Sequence, residues 1–231
     1  MLQHMKELHL HCDLTRADKI FYFTTCGWMM WNWLVSSLAV GATVVLYDGS
    51  PLYPDKNAMW DMVDELGITV FGTSAKFIDA CNDVNVRLGE NSDLSNLRAI
   101  LSTGSPLVDE NFDYIYEHIK SDILLGSISG GTDIISCFAV ANPMLPVHRG
   151  ELQCRGLAMD VHAYSPSGKS MINQKGELVC KSPFPSMPIY FWNDENGSKY
   201  QKAYFDHYPG VWHHGDSVSY THLTLPTKRI V

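Results

Sequence analysis

Charge is sparse in this chain. Asp, Glu, Lys and Arg make up 18% of its 231 residues, 17 basic against 25 acidic, and no run of like charge occurs. A formal net charge of −8 without a basic patch argues against nucleic acid or anionic membrane as a main partner. Paired cysteine motifs are missing as well: Cys12, Cys26, Cys81, Cys137, Cys154 and Cys180 are scattered, with no CxxC among them. The opening Met1-Leu2-Gln3-His4 has neither the basic start nor the small-residue cleavage site of a secretory leader. Buried free thiols in a reducing compartment, the cytosol, are therefore expected. The most apolar stretch, Trp28 to Tyr47, is interrupted by Asn32, Ser36, Ser37 and Gly41. It reads as a buried helix followed by a buried strand rather than a bilayer span. Internal repeats and low-complexity segments are lacking too. What is plentiful is apolar material, 45% of residues with 11% aromatic, which supplies a sizeable core and excludes global disorder.

The pattern along the chain alternates. Ile20 to Thr24 reads as a strand and Trp31 to Ala39 as a helix stopped by Gly41, and Thr43 to Tyr47 reads as a continuous apolar strand. After the turn Asp48-Gly49-Ser50-Pro51, a helix is predicted around Asn57 to Leu66, closed by Gly67, and a strand at Ile68 to Gly72. Ser74 can cap a helix running to about Asn82. Arg98 to Ser102 and Asp122 to Ser127 read as strands on either side of a helix from Val108 to Ile119. Such alternation implies a parallel sheet with helices on both faces. After about Met144 the pattern changes to short strands, Glu151 to Arg155, Met159 to Tyr164 and Gly176 to Cys180, set apart by turns such as Ser165-Pro166-Ser167-Gly168. The expected layout is an α/β unit over residues 1–145 followed by a small antiparallel β module over 146–216.

In an open parallel sheet, ligands bind at the carboxyl ends of the strands. Three segments just past predicted strands stand out. Thr103-Gly104-Ser105-Pro106 carries a glycine that lets another group approach the backbone. Ser129-Gly130-Gly131-Thr132-Asp133 ends in a hydroxyl beside a carboxylate, a pair suited to a phosphate and its magnesium; from these residues alone the favoured reading is a Gly-Gly turn with Thr-Asp capping a following helix. Trp212-His213-His214-Gly215-Asp216 ends in a carboxylate that could accept from a ribose diol, or is a plain strand-end turn. The aromatic run Trp28-Met29-Met30-Trp31-Asn32-Trp33 is core material that can also border an apolar substrate pocket. His4, His9 and His11 do not share one helix face, so they are expected to be solvated surface residues and no metal site is assigned to them.

Taken in order, Gly27-Trp28-Met29-Met30-Trp31-Asn32-Trp33, Leu46-Tyr47-Asp48-Gly49-Ser50-Pro51, Ile100 to Leu107, Leu125 to Phe138 and Phe191 to Gly197 closely resemble the adenylate-forming acyl-CoA synthetase superfamily, in its acetoacetyl-CoA synthetase branch. The resemblance runs from residue 1 to about Asp216. Acetate-type members carry Trp-Trp-Gln-Thr-Glu where this chain has Ser129 to Asp133. The fold implied is part of the large N-terminal domain of such enzymes, and the activity implied is ligation of acetoacetate to coenzyme A at the expense of ATP, with Mg2+, through an acyl-adenylate. Another small carboxylic acid, or nucleotide binding without turnover, are the alternatives. By position, Thr132 and Asp133 would act on the phosphates, Asp133 beside magnesium. Gly104, Ser105, Pro106, Ser129 and Asp216 would hold the nucleotide, Asp216 at the ribose. Trp28, Met29, Met30, Thr103 and Gly130 would border the acyl group. Gly130, standing where acetate-type relatives place a tryptophan, would leave room for the extra acetyl unit.

The resemblance also implies a phosphate-binding loop just upstream of residue 1 and a lysine-bearing domain beyond Asp216. Val218 to Thr227 instead resembles the translation of a sequencing adapter, so residues 217–231 are expected to be a non-native tail without a place in the fold.

Overall fold

A computed structural model describes residues 1–88 and 92–220. Its centre is a parallel sheet of β1 (Lys19–Tyr22), β2 (Thr43–Val45), β3 (Val70–Ser74), β4 (Ala99–Thr103) and β5 (Leu124–Ser127), in the order β2-β1-β3-β4-β5. The strands at its centre, β3 and β4, carry Val70, Phe71, Ala99, Ile100 and Leu101 fully buried, as a sheet covered on both faces requires.

One face is covered by α3 (Ala58–Leu66), α4 (Ala75–Asp83) and α5 (Asp109–Tyr114, continued by a π-helical turn to Ile119), which bury Trp60, Phe71, Phe77, Ile78 and Phe112 together. The helix ends follow their sequence signals. Ser74 accepts from Phe77 N at 3.2 Å, and Gly67 closes α3 at φ 58°, a left-handed conformation suited to glycine. The other face is covered by α1 (Leu2–Lys6, extended by a π-helical turn to His11) and α2 (Met29–Ser36), which bury Leu8, Met30, Trp33 and Leu34 against Ile20, Tyr22 and Leu101. Strand β2 differs from the buried strand expected of Thr43 to Tyr47: it lies at the sheet edge, with Thr43 exposed and Val44 and Val45 half-buried. No helix among the described residues is long and apolar enough to cross a membrane.

Two smaller sheets follow. β6 (Ser129–Gly131), β7 (Ser136–Val140) and β8 (Cys154–Arg155) form an antiparallel sheet. A second one joins β9 (Val161–Tyr164), β10 (Ser170–Met171), β11 (Lys175–Cys180) and β12 (Trp212–Ser219), with α6 (Ser198–Tyr204) laid on it and the Tyr204 ring stacked on Trp212 at 3.7 Å. The boundary expected after Asp216 falls inside a strand. β12 runs on to Ser219, pairing Ser217, Val218 and Ser219 with Glu177, Gly176 and Lys175, and Val218 is 3% exposed. Residues 221–231 of the expected tail lie outside the described residues.

The histidines also depart from expectation. His4 is buried between Ser36 Oγ (2.8 Å) and the Ile135 carbonyl, and His11 lies between the Ala141 carbonyl (2.9 Å) and Leu157 N (3.0 Å). Neither spacing nor helical face announces these contacts, because the partners are remote in sequence and, Ser36 Oγ apart, are backbone groups. Only His9 of the three is exposed. Among the cysteines, Cys12, Cys81, Cys137 and Cys180 are buried free thiols as expected, whereas Cys26 is exposed.

Candidate nucleotide and acyl cleft

Beyond the carboxyl ends of β4 and β5 the chain encloses a cleft of about 450 Å³, and every residue singled out for chemistry in the sequence lines it. The segment after β4 brings Thr103, Gly104, Ser105 and Pro106. Strand β6 brings Ser129 and Gly130, and the turn after it Thr132 and Asp133. The start of α2 brings Trp28, Met29 and Met30, and β12 brings Asp216.

Each wall has a local cause. Gly104 adopts φ +91°, which frees the backbone to turn under the Trp28 ring; a Cβ there would stand 3.5 Å from Trp28 Cζ2. Thr103 Oγ1 donates to the Ile128 carbonyl at 2.8 Å, locking the segment after β4 to the one after β5. Trp28 packs edge-on against Tyr22 at 6.1 Å, so its ring is fixed by the core as well as facing the cleft.

The small-residue segment is a β-hairpin, not a turn capping a helix. No helix follows Asp133; the chain turns through Thr132 to Ile135, with Ile135 at φ 46°, and returns as β7. The hairpin corrects the expectation about Gly130. Its φ is not in the left-handed region, but a Cβ built on it would meet the Ser136 carbonyl oxygen at 2.2 Å and Cys137 Cα at 2.8 Å. Gly130 therefore lines the cleft by its backbone and aims its missing side chain at β7. Any side chain there needs the β7 backbone to retreat and would be aimed at β7 rather than into the cleft.

Sequence reasoning missed His214. Its ring lies between two carboxylates, with Nδ1 4.0 Å from Asp133 Oδ2 and Nε2 3.9 Å from Asp216 Oδ2, and it meets the Phe138 ring at 4.6 Å. Gly131 makes the room, since a Cβ there would stand 2.5 Å from His214 Cε1 and 2.3 Å from Asp133 Oδ1. No periodic signal marks it: β12 shifts register against β11 between His213 and Ser217, and Gly215 takes φ +85° between His214 and Asp216. Ser136 and Cys137 of β7 also line the cleft and were not foreseen.

The electrostatics argue against a protein nucleophile at Cys137 or Tyr204. The Cys137 thiol is pushed well up by full burial and by the nearby Glu7 carboxylate, so it is no thiolate nucleophile. Burial, and then a hydrogen bond to Asp133, push the Tyr204 hydroxyl up, leaving it a neutral donor to that carboxylate. No cluster of three metal-ligating side chains exists among the described residues. One part-exposed carboxylate, Asp133 at 31%, beside the Thr132 hydroxyl fits a magnesium ion that arrives on phosphates and keeps most of its water.

Comparison with known proteins accords with this geometry. A family model described as AMP-binding enzyme matches residues 1–191. The chain is 56% identical to the acetoacetyl-CoA synthetase of Gallus gallus over 216 residues, covering 94% of this chain and 32% of that protein. It is 54% identical to the acetoacetyl-coenzyme A synthetase of Rhizobium meliloti (strain 1021), covering 96% of this chain and 34% of that one. A solved structure of acetoacetyl-CoA synthetase from Streptomyces lividans superposes with a TM-score of 0.92 at 47% identity, over 97% of this chain and 35% of the other. The chain thus spans about a third of the length of the relatives it matches.

Proposed function

The chain belongs to the AMP-binding enzyme family, and on that premise we propose that it forms the nucleotide- and acyl-binding part of an ATP-dependent acetoacetate–CoA ligase. In the reaction proposed, a carboxylate oxygen of acetoacetate attacks the α-phosphorus of ATP and pyrophosphate leaves. The sulfur of coenzyme A then attacks the acyl carbon, and AMP leaves. Neither step needs a protein nucleophile; both need reactants held in line and phosphate charge neutralised.

The chain's own residues divide that work. Gly104, Ser105 and Pro106 offer a backbone edge and flat apolar contact to adenine. Asp216 accepts from the ribose hydroxyls, while Ser129 and Thr132 donate to phosphate oxygens. Asp133 stands where it can share a magnesium ion with those oxygens, and the ion supplies charge neutralisation when bound. Trp28, Met29, Met30 and Thr103 border the acyl group, the thioethers adapting to its shape.

The observation that carries the proposal is the convergence of these separate segments on one cleft, which Trp28, Met29 and Met30 also line. Calorimetric titration with AMP tests the nucleotide assignment directly, and saturable binding is expected. A coupled thioester assay with a panel of small acids on the longer protein carrying this segment tests the acyl assignment. Equal turnover of acetate and acetoacetate there would remove acetoacetate as the preferred acid. Heat-free AMP titrations confirmed by equilibrium dialysis would remove the nucleotide reading.

A further inference from the structure

Glu7 is a fully buried carboxylate that none of the roles above uses. Burying a charge is costly unless donors surround it, and Glu7 has them. Oε1 accepts from Ser136 Oγ at 2.5 Å, from Gln3 Nε2 at 3.2 Å and from Cys137 N at 3.4 Å, and Oε2 accepts from Trp33 Nε1 at 3.0 Å. Gln3 Nε2 also donates to Ser136 Oγ at 2.8 Å, and the Lys6 ammonium stands 3.7 Å from Oε1.

Two of these donors belong to the wall of the cleft. Ser136 and Cys137 line it from β7. Trp33 follows Met30 by three residues and Met29 by four on α2, so the indole that Glu7 grips lies one helical turn beyond the two thioethers that line the other side. A single carboxylate therefore ties both elements that border the acyl end, through bonds a hydrophobic side chain of the same size could not make.

We propose that Glu7 is a positioning residue that sets the width of the acyl end of the cleft by clamping α2 to β7. The inference rests on the nucleotide and acyl reading of that cleft and deepens it: the length of acid accepted is set from behind the wall, by the Trp33–Glu7–Ser136 link, and not at Gly130, whose side-chain direction is closed by β7.

The test measures binding of AMP and of adenosine 5′-alkyl phosphates of increasing alkyl length, which carry the phosphate and stand in for the acyl-adenylate. The wild-type chain should discriminate between adjacent lengths by about tenfold once the end of the pocket is reached. In Glu7→Gln, the amide presents a donor to one of the faces that needs an acceptor, and discrimination should fall to about twofold while AMP affinity stays within about twofold. Trp33→Phe removes the indole N–H together with part of a buried ring, so it severs the α2 side of the link and leaves Ser136 on Glu7; it should shift the length preference in the same direction and serves if Glu7→Gln does not fold. A merely structural Glu7 would lower the melting temperature and weaken AMP and all esters by one common factor. That result, or an unchanged length preference in Trp33→Phe, overturns the proposal. A wild-type chain that binds neither AMP nor any ester removes the nucleotide reading itself, and this inference with it.

Discussion

Replacing Gly130 with alanine puts the hairpin argument at risk in one step. The added Cβ would stand 2.2 Å from the Ser136 carbonyl oxygen. Ordinary contact begins near 3.4 Å, so one strand must retreat by about 1.2 Å, and the obstructing atoms are backbone rather than the far end of a flexible side chain. The retreat separates Gly130 from Cys137, its partner in the β6–β7 register, and pulls the Cys137 amide away from Glu7. Overpacking of this kind costs about 1–3 kcal/mol, and leaving a buried amide without its acceptor about 1–3 kcal/mol more. At about 2–4 °C per kcal/mol for a domain of this size, the melting temperature should fall by roughly 4–24 °C. The same movement displaces Thr132 and Asp133 at the hairpin tip, so AMP affinity should fall with it. Scanning calorimetry and AMP titration on Gly130→Ala check both. A variant that melts within 2 °C of wild type, at roughly the error such shifts allow, and binds AMP unchanged would refute the reasoning. Gly104→Ala is the contrast, because its Cβ meets the Trp28 ring at an ordinary 3.5 Å and the cost, about 1–2 kcal/mol, comes from φ +91° alone.

Asp216→Ala should weaken AMP and adenosine alike by roughly ten- to a hundredfold, the worth of hydrogen bonds to a charged acceptor, about 1.5–3 kcal/mol; unchanged adenosine binding takes Asp216 off the ribose. Burial pushes the Asp18 carboxyl up, but donation from Arg98 (2.9 Å), Thr69 (2.7 Å) and Thr15 outweighs it and holds the group at about 2, below its ordinary 3.8. A depressed carboxylate stabilises the fold above its unfolded value, so about 2 kcal/mol should be present at pH 5 and drain away as pH falls from about 4 to 2; Asp18→Asn should flatten that acid limb in urea titrations, and an unaltered limb counts against it. Truncation after Tyr220 should leave the melting temperature unchanged, whereas truncation after Asp216 should lower it by several degrees, because Ser217 to Ser219 pair with β11 and Asn173 N donates to the Tyr220 carbonyl at 2.6 Å. Equal melting of the two truncations would mean that the end of β12 carries no stability.

The parts of this molecule that were legible in its sequence are those whose cause is local. A capping hydroxyl at Ser74, a left-handed glycine at Gly67 and a β-branched run in Thr43 to Val45 act within a few residues, and the structure has all three. The cleft residues were legible for a related reason: in a parallel sheet the topology itself brings the segments after each strand to one edge, so locating strands locates the site. What stayed hidden depends on pairs far apart in the chain. His4 and His11 look like surface residues until Ile135 and Ala141 are brought to them. Glu7 was not singled out in the sequence at all, because the partner that closes on it, Ser136, stands 129 positions away. Gly130 is the instructive case, since the sequence shows a residue without a side chain but not the direction in which that vacancy points. The direction is fixed by the Gly130–Cys137 register of a hairpin, and the hairpin exists because Ile135 takes a left-handed turn that no residue preference at that position announces. Substrate length in such a site is then a property of how two walls are held, α2 by Trp33 and β7 by Ser136, and a carboxylate between them is a more direct lever on it than any residue the substrate touches.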